Sequence, residues 1–298
     1  MPMIKQRLLP IFTVVAAIIT IWYAGAIFLN APFEYQTAAR ADQQISFAEV
    51  LPKTMAQQRP VLPAPHQVAQ EIWKTTGAMV MRGRAFSNRS LINHAWVTLS
   101  ATLLGFVLGT ALGILLAVGI VHSKVMAKSV MPWVITSQTI PILAIAPMII
   151  VVLASIGLTG LMPKSLISMY LSFFPVTVGM VKGLKSPEVM HMDLMHTYSA
   201  SRSQTFWKLR WPSSLPYLFT SMKIGIAASL VGAIVGELPT GAVAGLGARL
   251  LAGSYYGQTV QIWSALIIAA ICAGLLVTLI GIIGDQVNRR MGIREASN

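Results

Sequence analysis

The sequence predicts an all-α polytopic membrane protein with about six transmembrane helices. Three observations point there. Of 298 residues, 55% are hydrophobic and 10% charged, whereas soluble domains carry about 25% charged residues. Six stretches approach the ~20 apolar residues that a spanning helix needs. Lys and Arg are also unevenly shared between alternate connections, as cytoplasmic loops of membrane proteins require. The net charge of +13 therefore reads as loop charge, and no nucleic-acid partner is expected. The single cysteine, Cys272, lies in an apolar run and excludes an internal disulfide.

The first span is Leu8 to Leu29, so residues 1–29 read as an N-terminal transmembrane helix. A signal peptide cleaved near Ala24-Gly25-Ala26 is the alternative; the 22-residue apolar run exceeds the usual signal core of about 7–15 residues and favours a retained span. Residues 30–94 read as an outer, periplasmic segment. Within it, "VLPAPHQVAQEIWKTTGAMV" sets Pro63 and Pro65 ahead of Val68, Ile72 and Trp73. That is an extended approach followed by an amphipathic helix on the outer membrane surface.

A five-helix core follows over residues 95–285. The span from Ala95 to Val121 carries Gly105, Gly109, Gly113 and Ala117 at four-residue spacing. Such a stripe admits a closely packed helix, within the bundle or at a subunit interface. The span from Val130 to Leu158 holds Pro132, Pro141 and Pro147, which kink or break it. Leu166 to Met180 forms the next, extending toward Leu184 and interrupted by Pro175. Tyr217 to Val235 and Val260 to Ile283 complete the set, and residues 286–298 form a tail.

Orientation follows from charge. With the N-terminus inside, thirteen Lys and Arg residues lie toward the cytoplasm, among them Lys5, Arg7, Lys124, Lys128, Arg202, Lys208, Arg210 and Arg294; the 65-residue segment from Asn30 to His94 holds seven more, but long loops translocate largely regardless of charge. Only Lys164 and Arg249 lie on the two short outer loops. Both termini are thus expected in the cytoplasm.

No catalytic chemistry is legible. Gly179 to Ser186 has the wrong spacing for a phosphate-binding Walker loop, and neither H-E-x-x-H nor G-x-S-x-G occurs. His66, His94, His191 and His196 are too dispersed for a metal site and read as surface residues. The chain is expected to be no enzyme, and to hold no metal and no cofactor of its own. Glu237, near the outer end of the fifth span, is a candidate for the translocation pathway or gate. An interfacial residue or a helix cap is its other reading. Uphill transport would draw on an ion gradient, as in a stand-alone secondary transporter, or on another subunit. Scarce intramembrane acids and the lack of two similar halves favour the second.

One polar, basic island interrupts the apolar chain: "SASRSQTFWKLRWPSSLP", residues 199–216, inside a predicted loop of residues 186–216. Ser186-Pro187-Glu188 predicts a helix start, with Met190, Leu194 and Tyr198 on one face. After a break, a second short helix from Gln204 to about Leu209 presents Phe206 and Trp207. This is too elaborate for a simple connection. It reads as an interfacial helix on lipid or as a peg seated in a soluble partner.

Here the chain resembles the permease subunits of bacterial ABC importers. Their cytoplasmic loop has the pattern E-A-A, three residues, G, then I-x-L-P. Aligned on Pro212, this chain has Asp193, Leu194 and Met195, then Ser199, Leu209 and Trp211 at those places. "INHAWVTLSATLLGFVLGTALGILLAV", "IPILAIAPMIIVVLASIG", "LSFFPVTVGMVKGL" and "GELPTGAVAGLGARLLAG" are similar to the branch importing nitrate, taurine, other sulfonates, bicarbonate or pyrimidine precursors of thiamine. The resemblance implies an ABC importer permease fold in the bacterial inner membrane. It implies a coupling helix in which Ser199, Ala200, Ser201, Arg202, Gln204, Thr205 and Phe206 contact an ATPase. It implies a pair of ATP-binding subunits carrying ATP and Mg, a second permease copy forming a homodimer, a periplasmic binding protein, and surrounding lipid.

Overall fold

The computed structural model describes residues 2–239 and 241–292, with side chains from Leu9 onward. The Lys5, Arg7 and Arg294 side chains used in the charge argument lie outside that range, as do residues 293–298 of the predicted tail. All regular structure among the described residues is helical. Among the described residues five helices are long and apolar enough to cross a membrane, or six with the bent pair Lys124–Ser137 and Ile142–Ser155 counted as one span. The chain divides into two compact units.

The first unit comprises Met1–Asn93 and Arg249–Ile268. It holds α1 (Pro2–Arg40), α2 (Phe47–Ala56), α3 (Pro65–Thr75) and α4 (Gly77–Met81). Helix α1 runs on to Arg40 rather than ending near Leu29. Asn30, which looked like the end of an apolar run, is fully buried. Its Oδ1 accepts the Val61 and Leu62 amides at 2.8 and 3.2 Å, and its Nδ2 donates to the Leu62 carbonyl. Satisfied in this way, a polar side chain can stay inside a helix without ending it. The Trp22 indole donates to the Pro63 carbonyl at 2.9 Å and lies against Trp263. These bonds pin the extended 61–64 segment along α1. Pro65 then starts α3 at a position where its missing N–H is harmless, and the Gln67 side chain accepts the Ala64 amide.

The second unit comprises His94–Ala248 and Ala269–Asn298. In chain order it is built from α5 (Leu91–His122), α6 (Lys124–Ser137), α7 (Ile142–Ser155), α8 (Leu161–Leu184), α9 (Val189–Thr197), α10 (Arg202–Thr205), a π-helical turn (Phe206–Arg210) and α11 (Trp211–Glu237). The first turn of α12 (Leu246–Tyr255) and the later part of α13 (Thr259–Arg290) complete it. Helices α6 and α7 meet at 101° across the break before Pro141. The proline-rich span is therefore broken there, whereas Pro132 and Pro147 remain inside helices.

Helices α5, α8 and α11 pack against one another, and small residues make that possible. A Cβ on Gly105, Gly109 or Gly113 would run into Ser165, Ser168, Ser172, Phe173 or Val176 of α8. The stripe seen in the sequence is thus a contact inside the bundle. Toward α11, Gly232 and Gly236 of that helix meet Ser168 and Lys164, and Gly179 and Gly183 of α8 meet Ser221 and Ser214. Hydroxyls lock the three helices together. Ser168 donates to the Ser229 carbonyl at 2.9 Å, and Ser229 donates to the Thr102 carbonyl at 2.8 Å. In lipid such close backbone approach and interhelical hydrogen bonding replace the hydrophobic effect as the source of cohesion. Lys164, placed by sequence in a solvated outer loop, is buried in the first turns of α8, which begins at Leu161 rather than Leu166.

Candidate functional site

The basic island sits at the end of the bundle that carries His122 and Leu184. Helix α9 starts at Val189, later than the Ser186-Pro187-Glu188 signal suggested. Ser186 does not cap it, because its hydroxyl turns back to the Gly183 carbonyl at 2.7 Å. At its other end the Ala200 amide reaches the Met195 carbonyl and the Ser199 amide reaches the His196 carbonyl, both at 2.9 Å. Ser199 has φ of 50°. This is a Schellman termination whose left-handed position is normally glycine. Ser199 occupies the place where the importer loop pattern has its glycine.

The chain then turns sharply into α10. Ser201 accepts the Gln204 amide and Gln204 accepts the Ser201 amide, at 3.2 and 2.8 Å, a reciprocal capping box. No break follows. Helix α10 passes through the π turn into α11, giving one 36-residue rod from Arg202 to Glu237. The separate second helix expected from Gln204 to Leu209 is thus the foot of a spanning helix.

Ser199, Ser201, Arg202, Ser203 and Gln204 are exposed, whereas Ala200 and Thr205 are half-buried. Phe206 behaves differently from its neighbours. It is only 9% exposed and packs with Ala117, Ile120, Met180, Leu184 and Leu218. Its ring meets His122 edge-on at 5.1 Å and Trp207 at 5.0 Å. Phe206 is therefore an internal anchor that ties the rod's foot to α5 and α8, rather than a peg pointing outward. Sequence could not separate the roles of Phe206 and Trp207, because the wide π turn decides which ring faces in. Outward-facing apolar surface lies nearby: Met190, Leu194, Tyr198 and Trp207 are 74, 51, 77 and 60% exposed.

Glu237 is at the opposite end and has no exposure. Its Oε1 accepts the Thr98 hydroxyl at 2.8 Å and its Oε2 accepts the Gly247 amide at 2.7 Å. Thr98 in turn accepts the Leu246 amide at 2.8 Å, and His94 Nδ1 accepts the Gly245 amide at 2.9 Å. The carboxyl and its two neighbours thus cap the first turn of α12, whose N–H groups need such acceptors. His94 is buried here, not a surface residue as its isolation in sequence suggested. Gly245 has φ of 136°, and a Cβ on it would strike the Glu237 carboxyl. His94, Thr98, Gly245 and Gly247 were missed. The signal available was the Gly-Leu-Gly placed just before an apolar helix and a few residues beyond a lone acid.

Between these ends, α8 and α11 border a cleft of about 710 Å³. Phe174, Lys182, Tyr217 and Thr220 line it together with Gln138 at the end of α6. The Lys182 ammonium lies 5.9 Å from the centre of the Tyr217 ring. No group of three or more metal-ligating side chains occurs among the described residues.

Residues 109–293 match the family model described as the binding-protein-dependent transport system inner membrane component. The chain belongs to that family. As an ABC importer permease it has relatives with several named cargoes. It is 33% identical over 187 residues to the formylaminopyrimidine transport permease protein ThiX of Halalkalibacterium halodurans, covering 63% of this chain and 68% of that one. It is 30% identical over 223 residues to the riboflavin transport system permease protein RibX of Chloroflexus aurantiacus, covering 75% and 78%. It is 25% identical over 216 residues to the taurine transport system permease protein TauC of Escherichia coli, covering 72% and 74%. A solved structure of the MetNI methionine ABC transporter, facing inward, superposes on 69% of the permease with a TM-score of 0.58 and 19% identity. That likeness is one of fold. The multi-pass inner-membrane assignment rests on the family together with the apolar helices.

Proposed function

We propose that this permease imports a small solute delivered by a periplasmic binding protein, driven by ATP hydrolysis on a separate pair of ATPase subunits. Two copies of the chain form the pathway, with both termini cytoplasmic. ATP and Mg reside on the ATPase, which grips the loop through Ser199, Ser201, Arg202 and Gln204. The continuous rod from Arg202 to Glu237 is the observation that carries the mechanism. A push on its capped foot is passed along one uninterrupted helical run to the carboxyl at the far end. The buried Phe206 makes the foot and the neighbouring helices move as one body. Glu237 holds the segment beyond the rod, and gates the pathway by moving with it. The exposed Met190, Leu194, Tyr198 and Trp207 supply apolar area for the same partner.

For the cargo, a flat nitrogen heterocycle of the pyrimidine-precursor type is favoured over a nitrate- or sulfonate-like anion. Two relatives at 30% identity or above carry names of heterocycle transporters. The cleft offers the aromatic faces of Phe174 and Tyr217 for stacking, and Gln138 and Thr220 for ring-edge hydrogen bonds. Reconstitution tests the whole reading. Liposomes holding the permease, its ATPase and its binding protein should take up solute only with ATP, and the permease alone should take up none. Accumulation by the permease alone, driven by an ion gradient, would establish the secondary-transporter reading instead.

A further inference from the structure

A cavity of about 450 Å³ in the first unit has no role in the reading above. Lys74, Arg82, Arg89 and Arg249 face it, together with Glu71 and Met79. Four cations thus surround one carboxylate. Glu71 does little to neutralise them, because its nearest approach to Arg249 is a loose 3.9 Å. The Nε of Arg249 is buried and has no hydrogen-bond partner. Burial pulls the Arg249 guanidinium below the usual arginine range, and Glu71 only partly restores it. Arginine does not give up its proton in proteins. The pocket therefore holds excess positive charge and an unused donor, and an oxyanion supplies what is missing. A phosphate matches several guanidinium forks at once.

The surroundings indicate where that phosphate comes from. Trp73, Val80, Met81 and Phe86 are 61, 53, 73 and 71% exposed. Trp73 adjoins Lys74 in sequence, and Val80 and Met81 lie between Met79 and Arg82. Apolar and aromatic side chains alternating with basic ones are the pattern of a segment lying in the headgroup–acyl boundary.

We propose that this cavity binds the phosphate of an anionic phospholipid headgroup, with Trp73, Val80, Met81 and Phe86 seated in the adjoining leaflet. That the leaflet is the outer one rests on the topology proposed above, whereas the phosphate chemistry does not. Bound there, the lipid would fix α3 and α4 to the membrane surface.

The assembled transporter is exchanged into nanodiscs of phosphatidylcholine doped with phosphatidylglycerol, then stripped with mild detergent. Retained lipid is counted by native mass spectrometry. Wild type and the Arg84→Gln control should keep phosphatidylglycerol in preference to phosphatidylcholine. Arg82→Gln with Arg89→Gln should weaken retention about thirtyfold, each cation near a membrane surface being worth about a factor of five. Both arginines are exposed, so the unfolding midpoint should not move. Equal retention by wild type and double variant overturns the proposal. So does capture of inorganic phosphate without phosphatidylglycerol. So does unchanged lipid retention combined with lost stimulation by the binding protein, which would assign the cavity to an acidic protein surface. An impermeant maleimide on Arg84→Cys, in a Cys272→Ser background, reports the side. Labelling from the cytoplasm would refute the topology and leave the lipid result standing.

Discussion

Thr98→Val keeps the shape of a buried side chain and removes one oxygen. That oxygen donates to Glu237 and accepts from the Leu246 amide, both at 2.8 Å. Losing a hydrogen bond to a carboxylate costs about 1.5–3 kcal/mol, and orphaning a buried N–H costs about 1–3 kcal/mol. The two add, because the valine methyl serves neither partner. About 2.5–6 kcal/mol is expected, and at about 2–4 °C per kcal/mol for a domain of this size the midpoint falls by roughly 5–24 °C. The assay is thermal unfolding of purified permease followed by tryptophan fluorescence. Thr98→Ser is the control, since it keeps the hydroxyl and loses only a methyl. If valine unfolds with wild type, or if serine falls as far as valine, the hydroxyl is not the hub of this network and the capping argument fails.

Other outcomes follow from the same geometry. Arg202→Glu should abolish ATPase co-purification and uptake with the unfolding midpoint unmoved, because Arg202 is exposed; retained co-purification would remove Arg202 from the docking surface. Phe206→Ala should instead lower stability by about 3–5 kcal/mol, as loss of a buried aromatic ring does, and an unchanged midpoint would show that Phe206 is not an internal anchor. Ser199→Gly should retain full uptake and raise the unfolding midpoint, because it relieves the roughly 1–2 kcal/mol that the left-handed conformation costs a residue with a Cβ, while the β-branched Ser199→Val should lower it; the two midpoints separate these cases. Glu237→Gln keeps one acceptor oxygen and sets an NH2 against a donor, the Thr98 hydroxyl or the Gly247 amide, so stability should fall by about 1–3 kcal/mol and uptake with it. Lower stability with undiminished uptake would leave Glu237 a purely structural cap.

Much of the bundle was legible in residue order. Spans are long uninterrupted runs of apolar residues, and hydrocarbon thickness sets their length, so composition alone marks them. The glycine stripe of α5 was visible for the same local reason, since helical periodicity puts every fourth residue on one face. Three prolines signalled a kink or break between Val130 and Leu158, and the structure places the break at Pro141. The errors lay where polar residues mislead. Asn30 and Lys164 read as loop residues, yet both are buried inside helices, Asn30 with its bonds satisfied by a distant segment. His94 read as a surface residue for want of neighbours in sequence.

The sequence by itself determined the class: an apolar, basic chain of about six spans interrupted by one polar, basic island. Those properties depend on composition and on spacing within single helices. Only the tertiary structure decided that Phe206 faces inward, that the island is continuous with the last helix before Glu237, and that Glu237 is shared with Thr98 and Gly247. The reason is physical. Each of those facts turns on which atoms from remote parts of the chain fill one small volume, and residue order does not encode that directly.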